Sequence, residues 1–316
     1  MSTSTLPRAE AWPSTPSARR ARRVQAVAFV ALGASALAIM VPAVLFVGFV
    51  VVRGASAINW EFITAMPRDN MRAGGIMPAI VGSLYLVVVT MALATPVGIL
   101  AAVYLSEYAR KGPLVRAIRV AILNLAGVPS IVYGLFGMGL FVMVVMPQVL
   151  RLTRGGGESG KSACLLAAAA TMAVLILPIV IATTEEALRQ VPQGLRAASL
   201  ALGATRWQTI WRVVIPNALP GILTGLVLAV GRAAGETAPI LLTGAFFWMS
   251  HLPRPAEALL EPFMALPFHL FTVSTQMPDA PEKLRWGTAL VLIIMVVGAN
   301  SIGIVIRSWL RTRRKV

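Results

Sequence analysis

Long stretches without a charged side chain constrain this sequence more than any other feature. Five of them cover residues 24–52, 76–105, 120–150, 162–184 and 286–306. A helix needs about 20 mostly apolar residues to cross a hydrocarbon core of roughly 30 Å, so each stretch is long enough to span a membrane. A sixth begins near Val213, contains Arg232 and Glu236, and runs past Pro239 to about Ser250. The sequence therefore predicts an all-α integral membrane protein, a bundle of six transmembrane helices.

Composition and charge placement agree with this class. Apolar residues make up 57% of the chain and charged residues 13%, both far from the averages of soluble proteins. The net charge of +16 would suit a nucleic-acid ligand, but the basic residues lie at the ends of the apolar stretches and form no stripe with aromatic residues. We expect membrane lipid as the surroundings and no nucleic-acid partner.

The basic residues also predict topology. Six spans place both termini on one side, and that side collects 18 of the 28 Lys and Arg residues, against nine in the opposite loops. Loops rich in Lys and Arg remain in the cytoplasm. We therefore expect a multi-pass protein with both termini in the cytoplasm.

The spans define the expected organisation of the chain. In order, the segments are a disordered basic cytoplasmic tail (1–23), the first transmembrane helix (24–52), an extracytoplasmic loop (53–75), a helical core (76–306) with a cytoplasmic loop (185–217) and an outer loop (251–285), and a basic cytoplasmic tail (307–316). In the cytoplasmic loop, apolar residues recur every three to four positions, as at Leu195, Ala198 and Leu202, which predicts amphipathic helices. Such a loop suits docking of a soluble partner or an interfacial position on lipid headgroups.

One sequence motif is misleading. Gly155–Ser162, GGGESGKS, matches the P-loop pattern of nucleotide-binding proteins. A working P-loop needs a strand before it and a soluble helix after it, whereas apolar spans flank this segment and topology places it outside the cell. We interpret it as a hairpin between helices. His251 and His269 have no metal-ligand spacing, and no catalytic constellation is apparent, so we expect no enzyme site.

Two charges inside the sixth apolar stretch are the main candidates for a functional role. Arg232 and Glu236 are four residues apart, so on a continuous helix they share a face and can pair. Charges in a span usually face a protein interior or an aqueous path. A guanidinium suits a phosphate-like oxyanion, and a nearby carboxylate would keep the anion from binding too tightly. The alternative is a structural ion pair between helices.

The cytoplasmic loop resembles that of the permease subunits of bacterial ABC importers of the smaller type, whose pattern is EAA, three residues, Gly, nine residues and I-x-L-P. Ala197, Ala198 and Ser199 stand at the EAA positions, and Gly203 and Pro216 match the later ones. The resemblance implies that this loop couples the spans to an ATPase, through Ala197, Ala198, Ser199, Gly203 and Ala204. Ala197 replaces the acidic residue usual in the family, so we expect docking through apolar contacts and Gly203.

Three further segments resemble the PstA family of phosphate permeases: residues 74–86 (GGIMPAIVGSLYL), 124–137 (NLAGVPSIVYGLFG) and 231–243 (GRAAGETAPILLT). The resemblance implies the type I importer permease fold, also called MetI-like, in a bacterial inner (plasma) membrane. It further implies a phosphate pathway at Arg232, Glu236 and Thr237. The implied partners are a PstC-like second permease subunit, a PstB-like ATPase dimer and an extracytoplasmic PstS-like phosphate-binding protein. ATP and Mg would be used by the ATPase, and this chain would bind no cofactor.

Three other functions are compatible with parts of this pattern. One Arg does not by itself distinguish tetrahedral anions, so sulfate or molybdate is an alternative cargo. A second alternative is a role in signalling phosphate status through the cytoplasmic surfaces, which is compatible with transport. A secondary transporter fits less well, because the chain shows no inverted repeat and has a coupling loop instead.

Overall fold

The computed structural model describes residues 16–69, 71, 73–110, 112–154, 162–249, 251–252 and 257–313. It divides the chain into two compact units, Met1–Val52 and Arg53–Val316. Residues 1–15 of the expected tail, residues 155–161 of the P-loop-like segment and residues 314–316 lie outside the described residues. Within the described ranges, six helices are long and apolar enough to cross a membrane, in agreement with the sequence.

The first unit contains most of helix α1 (Pro16–Ala55), which provides the first of these six helices. The helix begins eight residues before the expected start at Val24, so the assignment of residues 16–23 to a disordered tail is wrong. These residues are mostly Ala and Arg, which are strong helix formers. Pro16 occupies the first helical position, where its missing N–H removes no helical hydrogen bond.

The elements of the second unit follow one another in chain order. They are α2 (Trp60–Thr64), the antiparallel strands β1 (Pro67–Arg68) and β2 (Ala73–Gly74), α3 (Met77–Val103) with a π-helical extension (Tyr104–Tyr108), α4 (Pro113–Ala126), α5 (Ser130–Gly137), a π-helical segment (Met138–Val145), α6 (Met146–Arg154), α7 (Leu165–Arg189), α8 (Gln193–Ala201), α9 (Arg206–Thr209), a π-helical segment (Ile210–Val214), α10 (Ile215–Gly235), α11 (Ala238–Leu241), a 3₁₀ turn (Ala258–Leu260), α12 (Leu266–Thr275) and α13 (Glu282–Arg313). Five of the membrane-length helices belong to this unit. The last of them, α13, continues beyond Ile306 into the expected basic tail.

The third apolar stretch contains one membrane-length helix, Ser130–Thr153, but residues 120–126 belong to the preceding helix α4, so the predicted start of this span at residue 120 is wrong. Helix α4 ends at Ala126 and α5 begins at Ser130. Pro129 lies between them, and a proline disfavours helical backbone at the preceding residue. Helix α4 has no buried residue, and the membrane-length helix of this region begins only at Ser130.

The fifth membrane-length helix ends earlier than its apolar composition predicts. Helix α10 ends at Gly235, and Glu236 has an extended backbone with φ −77° and ψ 135°. Only the single turn of α11 follows, with Pro239 in its first turn. A helix continuing through Pro239 would lose a backbone hydrogen bond, so a new helix start is the favoured arrangement. The expected continuation of this span to about Ser250 is therefore wrong.

The outer loop expected at residues 251–285 contains a buried helix that the sequence analysis did not predict. Helix α12 buries Leu266, Phe268, His269 and Val273. Its first N–H, from Leu266, donates a 2.7 Å hydrogen bond to Ser83 Oγ of α3. The loop therefore folds back against the spans.

Helix α7 is central to the second unit. It packs most extensively against α3 and α10, and most of its residues are buried. The helices approach closely because small residues face larger ones. Gly225 of α10 lies against Thr183 of α7, and Gly231 of α10 lies against the Asn300 amide of α13. Close approach at small residues is the usual way in which helices associate in lipid, since apolar surface alone gives little attraction there.

Candidate functional site

The Arg232–Glu236 pair forms at the point where α10 ends. Arg232 Nε donates to Glu236 Oε1 across 3.2 Å, and the two side chains are 31% and 21% exposed. The predicted pairing is thus present, although Glu236 lies just after the helix and not on a continuous helical face. Arg232 is in the last turn of α10, where the partial negative charge of the helix C-terminus favours a cation. The functional role of the pair stays a prediction.

Two nitrogens of the Arg232 guanidinium are available as hydrogen-bond donors to a ligand. In the part of the chain that the structure describes, its one hydrogen bond to protein comes from Nε, so Nη1 and Nη2 donate to no protein group. Its partial exposure leaves both nitrogens accessible. A guanidinium has five N–H donors in a planar fork that matches an oxyanion. The geometry therefore permits Arg232 to bind an anion without first releasing Glu236.

Two other elements surround the end of α10. Helix α5 packs against α11, with Gly134 close to the Ala238 carbonyl and to Pro239. Tyr133 of α5 is buried, and its hydroxyl donates a 2.7 Å hydrogen bond to the Leu125 carbonyl. Thr237, the third predicted pathway residue, is half-buried directly before α11, and its side chain does not cap that helix. The structure thus brings Arg232, Glu236 and Thr237 to one break between helices.

The structure gives no sign of a metal site in the ranges it describes. No group of three or more His, Cys, Asp and Glu side chains is placed to hold a metal ion there. His251 Nε2 lies 4.0 Å from Glu261 Oε2. His269 is buried in α12, and burial lowers its pKa to about 4. That the chain binds no cofactor stays a prediction.

The predicted coupling residues lie on and after α8. Ala197 and Ala198 are exposed on this helix, and Ser199 is half-buried, with its hydroxyl 2.9 Å from Thr209 Oγ1. Gly203 has a φ of +82°, a left-handed conformation that strains any residue with a side chain. Ala204 follows, half-buried, and Thr205 then caps α9 in a reciprocal pair with Gln208. Gly203 therefore sets the sharp turn between α8 and α9.

An apolar surface accompanies these residues. Leu195 and Leu200 of α8 are 42% and 45% exposed, and Leu202 is 89% exposed. Trp207 and Trp211 are also exposed, with ring centroids 5.1 Å apart. Such a surface suits a protein partner or a lipid interface. The assignment of these residues to ATPase coupling stays a prediction.

Two sets of ion pairs at and near α8 were not predicted from the sequence. Glu185 of α7 pairs with Arg119 of α4 at 2.8 Å and with Arg189 at 2.6 Å. Arg196 of α8 pairs with Glu107, in the π-helical extension of α3, at 2.5 Å. Only the Glu185–Arg189 spacing of four residues could have been read from the sequence, because the other partners are far apart along the chain.

Comparisons with known proteins agree on the class of this chain. Residues 94–316 match the family model described as "Binding-protein-dependent transport system inner membrane component". The phosphate transport system permease protein PstA of Mycobacterium leprae (strain TN) is 37% identical over 286 residues, covering 89% of this chain and 87% of that protein.

Solved structures agree on the fold. A chain of a bacterial alginate ABC transporter, solved with a periplasmic protein bound to an alginate pentasaccharide, has a TM-score of 0.58 at 16% identity, over 90% of this chain and 96% of that one. A chain of the inward-facing MetNI methionine ABC transporter has a TM-score of 0.51 at 19% identity, over 75% and 94% of the respective chains. The predicted MetI-like fold with six membrane-length helices is therefore confirmed.

Proposed function

Because the chain belongs to the family of binding-protein-dependent transport system inner membrane components, we propose that it is the permease subunit of an ATP-driven importer of inorganic phosphate. The cargo is proposed from the 37% identity to a phosphate transport system permease and from the oxyanion chemistry of Arg232. The chain itself performs no hydrolysis in this proposal. A separate ATPase dimer uses ATP and Mg.

The structural observation that supports an oxyanion cargo most directly is that the terminal nitrogens of Arg232 are free to donate, whereas the choice of phosphate rests on the identity to the phosphate permease. These nitrogens donate to no described protein group, while Glu236 holds the guanidinium through Nε. Charge-assisted hydrogen bonds to a phosphate oxyanion would replace part of its hydration. The Glu236 carboxylate, whose Oε1 lies 3.2 Å from Arg232 Nε, repels the anion. In this proposal the repulsion weakens anion binding, so that the anion passes and is then released.

The proposed assembly has four kinds of component. A second, PstC-like permease subunit completes the pathway, and a PstB-like ATPase dimer docks on the 185–217 loop. An extracytoplasmic PstS-like protein delivers phosphate, and both termini are in the cytoplasm, as the distribution of basic residues favours. Transport then requires that ATP and the loaded binding protein each bind one orientation of the spans more tightly than the other.

Reconstitution tests the proposal. The chain is placed in liposomes with its second permease subunit, ATPase and binding protein, and ATP-dependent uptake of labelled phosphate is measured. Arg232→Ala is expected to lower the initial uptake rate about ten-fold or more, because charge-assisted contacts to the anion are lost. Arg22→Ala is the matched control, since Arg22 is an exposed Arg of α1 that belongs neither to the Arg232–Glu236 pair nor to the proposed docking loop 185–217. It is expected to retain wild-type uptake.

Competing anions distinguish the cargo. Unlabelled phosphate is expected to compete fully, and sulfate and molybdate only weakly. If an intact complex takes up labelled sulfate and not phosphate, the proposed cargo is wrong, but the proposed role as an importer permease is retained. If an assembled Arg232→Ala complex takes up phosphate at the wild-type rate, the proposed role of Arg232 in the pathway is wrong.

A further inference from the structure

The most buried ion pair in the described part of the chain connects α8 with the end of α3. Arg196 Nη1 donates to both carboxylate oxygens of Glu107, at 2.6 and 2.5 Å. The side chains are only 14% and 10% exposed, whereas Arg189 in the neighbouring pair is 54% exposed. Partial desolvation strengthens the attraction and reduces screening by salt, so this pair holds its geometry better than a surface pair does.

Arg196 contacts a third element at the same time. Its Nη2 donates a 2.6 Å hydrogen bond to the Leu188 carbonyl, one residue before the end of α7. One guanidinium therefore fixes α8 to the ends of two membrane-length helices. The planar fork of Arg permits these two directions of bonding, and a Lys ammonium lacks that geometry.

Apolar packing does not fix α8 in the same way. No residue of α8 is buried, and the side chains of Leu195 and Leu200 are each more than 40% exposed. Among the described residues, α8 also packs against α9, where the Ser199 hydroxyl lies 2.9 Å from Thr209 Oγ1, and against the π-helical segment Ile210–Val214. The Arg196 side chain supplies the polar contacts of α8 with the ends of α3 and α7 that the structure describes.

The elements that Arg196 holds lead directly to the candidate pathway. Helices α3 and α7 pack along one another, and α7 packs against α10, which carries Arg232. Tightly packed helices transmit displacement because they are not freely deformable. A contiguous set of contacts therefore runs from α8 through Arg196 to the break after α10.

We propose that Arg196 and Glu107 are positioning residues that transmit the movement of α8 to α3 and α7 during transport. The proposal rests on the proposed function, because it requires an ATPase that moves α8. Neither residue touches the cargo or ATP. Their contribution is to keep α8 from shifting independently of the spans when force is applied to it.

The test measures coupling in the reconstituted complex as labelled phosphate imported per ATP hydrolysed. Glu107→Gln and Arg196→Gln are each expected to lower this ratio about ten-fold, since coupling energies along such networks are modest but measurable. Arg196→Lys, which keeps the charge and loses the second bond, is expected to give an intermediate ratio. Glu282→Gln, which removes the exposed Arg53–Glu282 pair outside the 185–217 loop, is the matched control for Glu107→Gln and is expected to keep the wild-type ratio.

A charge reversal separates positioning from folding. Glu107→Arg combined with Arg196→Glu restores the ion pair between α8 and α3 with opposite polarity but not the bond to the Leu188 carbonyl, so it is expected to recover part of the lost coupling, to about one third of the wild-type ratio. A merely structural loss would change complex yield and not the ratio. If the single variants do not assemble, the reversal is still expected to assemble and to transport.

Three results would overturn the proposal. They are single variants with the wild-type ratio, a reversal that assembles without recovering coupling, and a reversal that does not assemble. Failure of the proposed function is recognised separately, because the wild-type complex then imports no phosphate at all. If the wild-type complex imports another oxyanion instead, the ratio is measured with that anion.

Discussion

Helices α8 and α12 are of similar length and lie at opposite ends of α3, but they are attached in opposite ways. Six of the ten residues of α12 are buried, whereas none of the nine residues of α8 is buried. Helix α12 is attached by apolar packing and one hydrogen bond to Ser83, and α8 by the Arg196–Glu107 pair. Apolar packing attaches α12 along most of its length, whereas α8 is attached to α3 and α7 through the directional bonds of Arg196, which leave its exposed surface available to a partner.

The largest expected effect of this difference is on stability, when a leucine of α12 and a leucine just after α8 are each replaced by alanine. Leu266 of α12 is fully buried, and Leu266→Ala should lower the free energy of unfolding by about 4 kcal/mol through lost burial and a cavity. Leu202, just after α8, is 89% exposed, and Leu202→Ala should change it by less than about 0.5 kcal/mol. Apparent thermal midpoints of the purified chain in detergent compare the two. Equal shifts would contradict the contrast between the helices.

The next effect depends on pH. His269 of α12 is buried, its ring nitrogens have no hydrogen-bond partner among the residues that the structure describes, and burial lowers its pKa to about 4. Because the unfolded chain binds a proton near pH 6.5 and the folded chain only near pH 4, stability falls as pH decreases through this window. The total loss from this residue is about 3 kcal/mol.

His269→Leu should remove this pH-dependent loss of stability. At pH 7.5 it should leave the free energy of unfolding unchanged or raise it, because it replaces two unpaired buried nitrogens. Unfolding midpoints measured between pH 7.5 and pH 4.5 give the slope for each variant. His251→Leu is the matched control, since the His251 side chain is 64% exposed. The prediction fails if the two variants have the same pH slope as the wild-type chain.

The smallest effect compares two serines. Ser83→Ala leaves the buried Leu266 N–H without an acceptor and should cost about 1.5 kcal/mol. Ser199→Ala removes a part-buried bond between hydroxyls and should cost about 0.5 kcal/mol. The same thermal measurement applies. A larger cost at Ser199 would mean that α8 is held by local hydrogen bonds more firmly than its exposure indicates.

The sequence predicts the number and class of the spanning helices because long uncharged stretches have few other stable environments. It does not predict where those helices stop. Residues 120–126 are as apolar as those of a span, yet they belong to α4, and composition alone does not reveal the break at Pro129. Helix α12 was missed because ten residues in a Pro-rich loop give too short a pattern, although Pro267 near its start is a usual helix-start signal.

For a similar reason, the sequence indicated the Arg232–Glu236 pair but not the Glu107–Arg196 pair. Arg232 and Glu236 are close in sequence and are conspicuous as charges in an apolar stretch, so local reasoning found them. Glu107 and Arg196 are 89 residues apart, and each has the ordinary appearance of a charge at the end of a span. Only the folded chain shows that they meet, because long-range pairing leaves no periodic signal in one sequence.

The glycine contacts of α10 restrict how this chain can move. With Gly225 seated against Thr183 and Gly231 against Asn300, rotation of α10 about its own axis would drive its backbone into both side chains. We therefore expect helices α7, α10 and α13 to move together as one body, without rotating past one another. The number of independent parts is smaller than the number of helices, and large distance changes during a working cycle are to be sought between this body and neighbouring subunits.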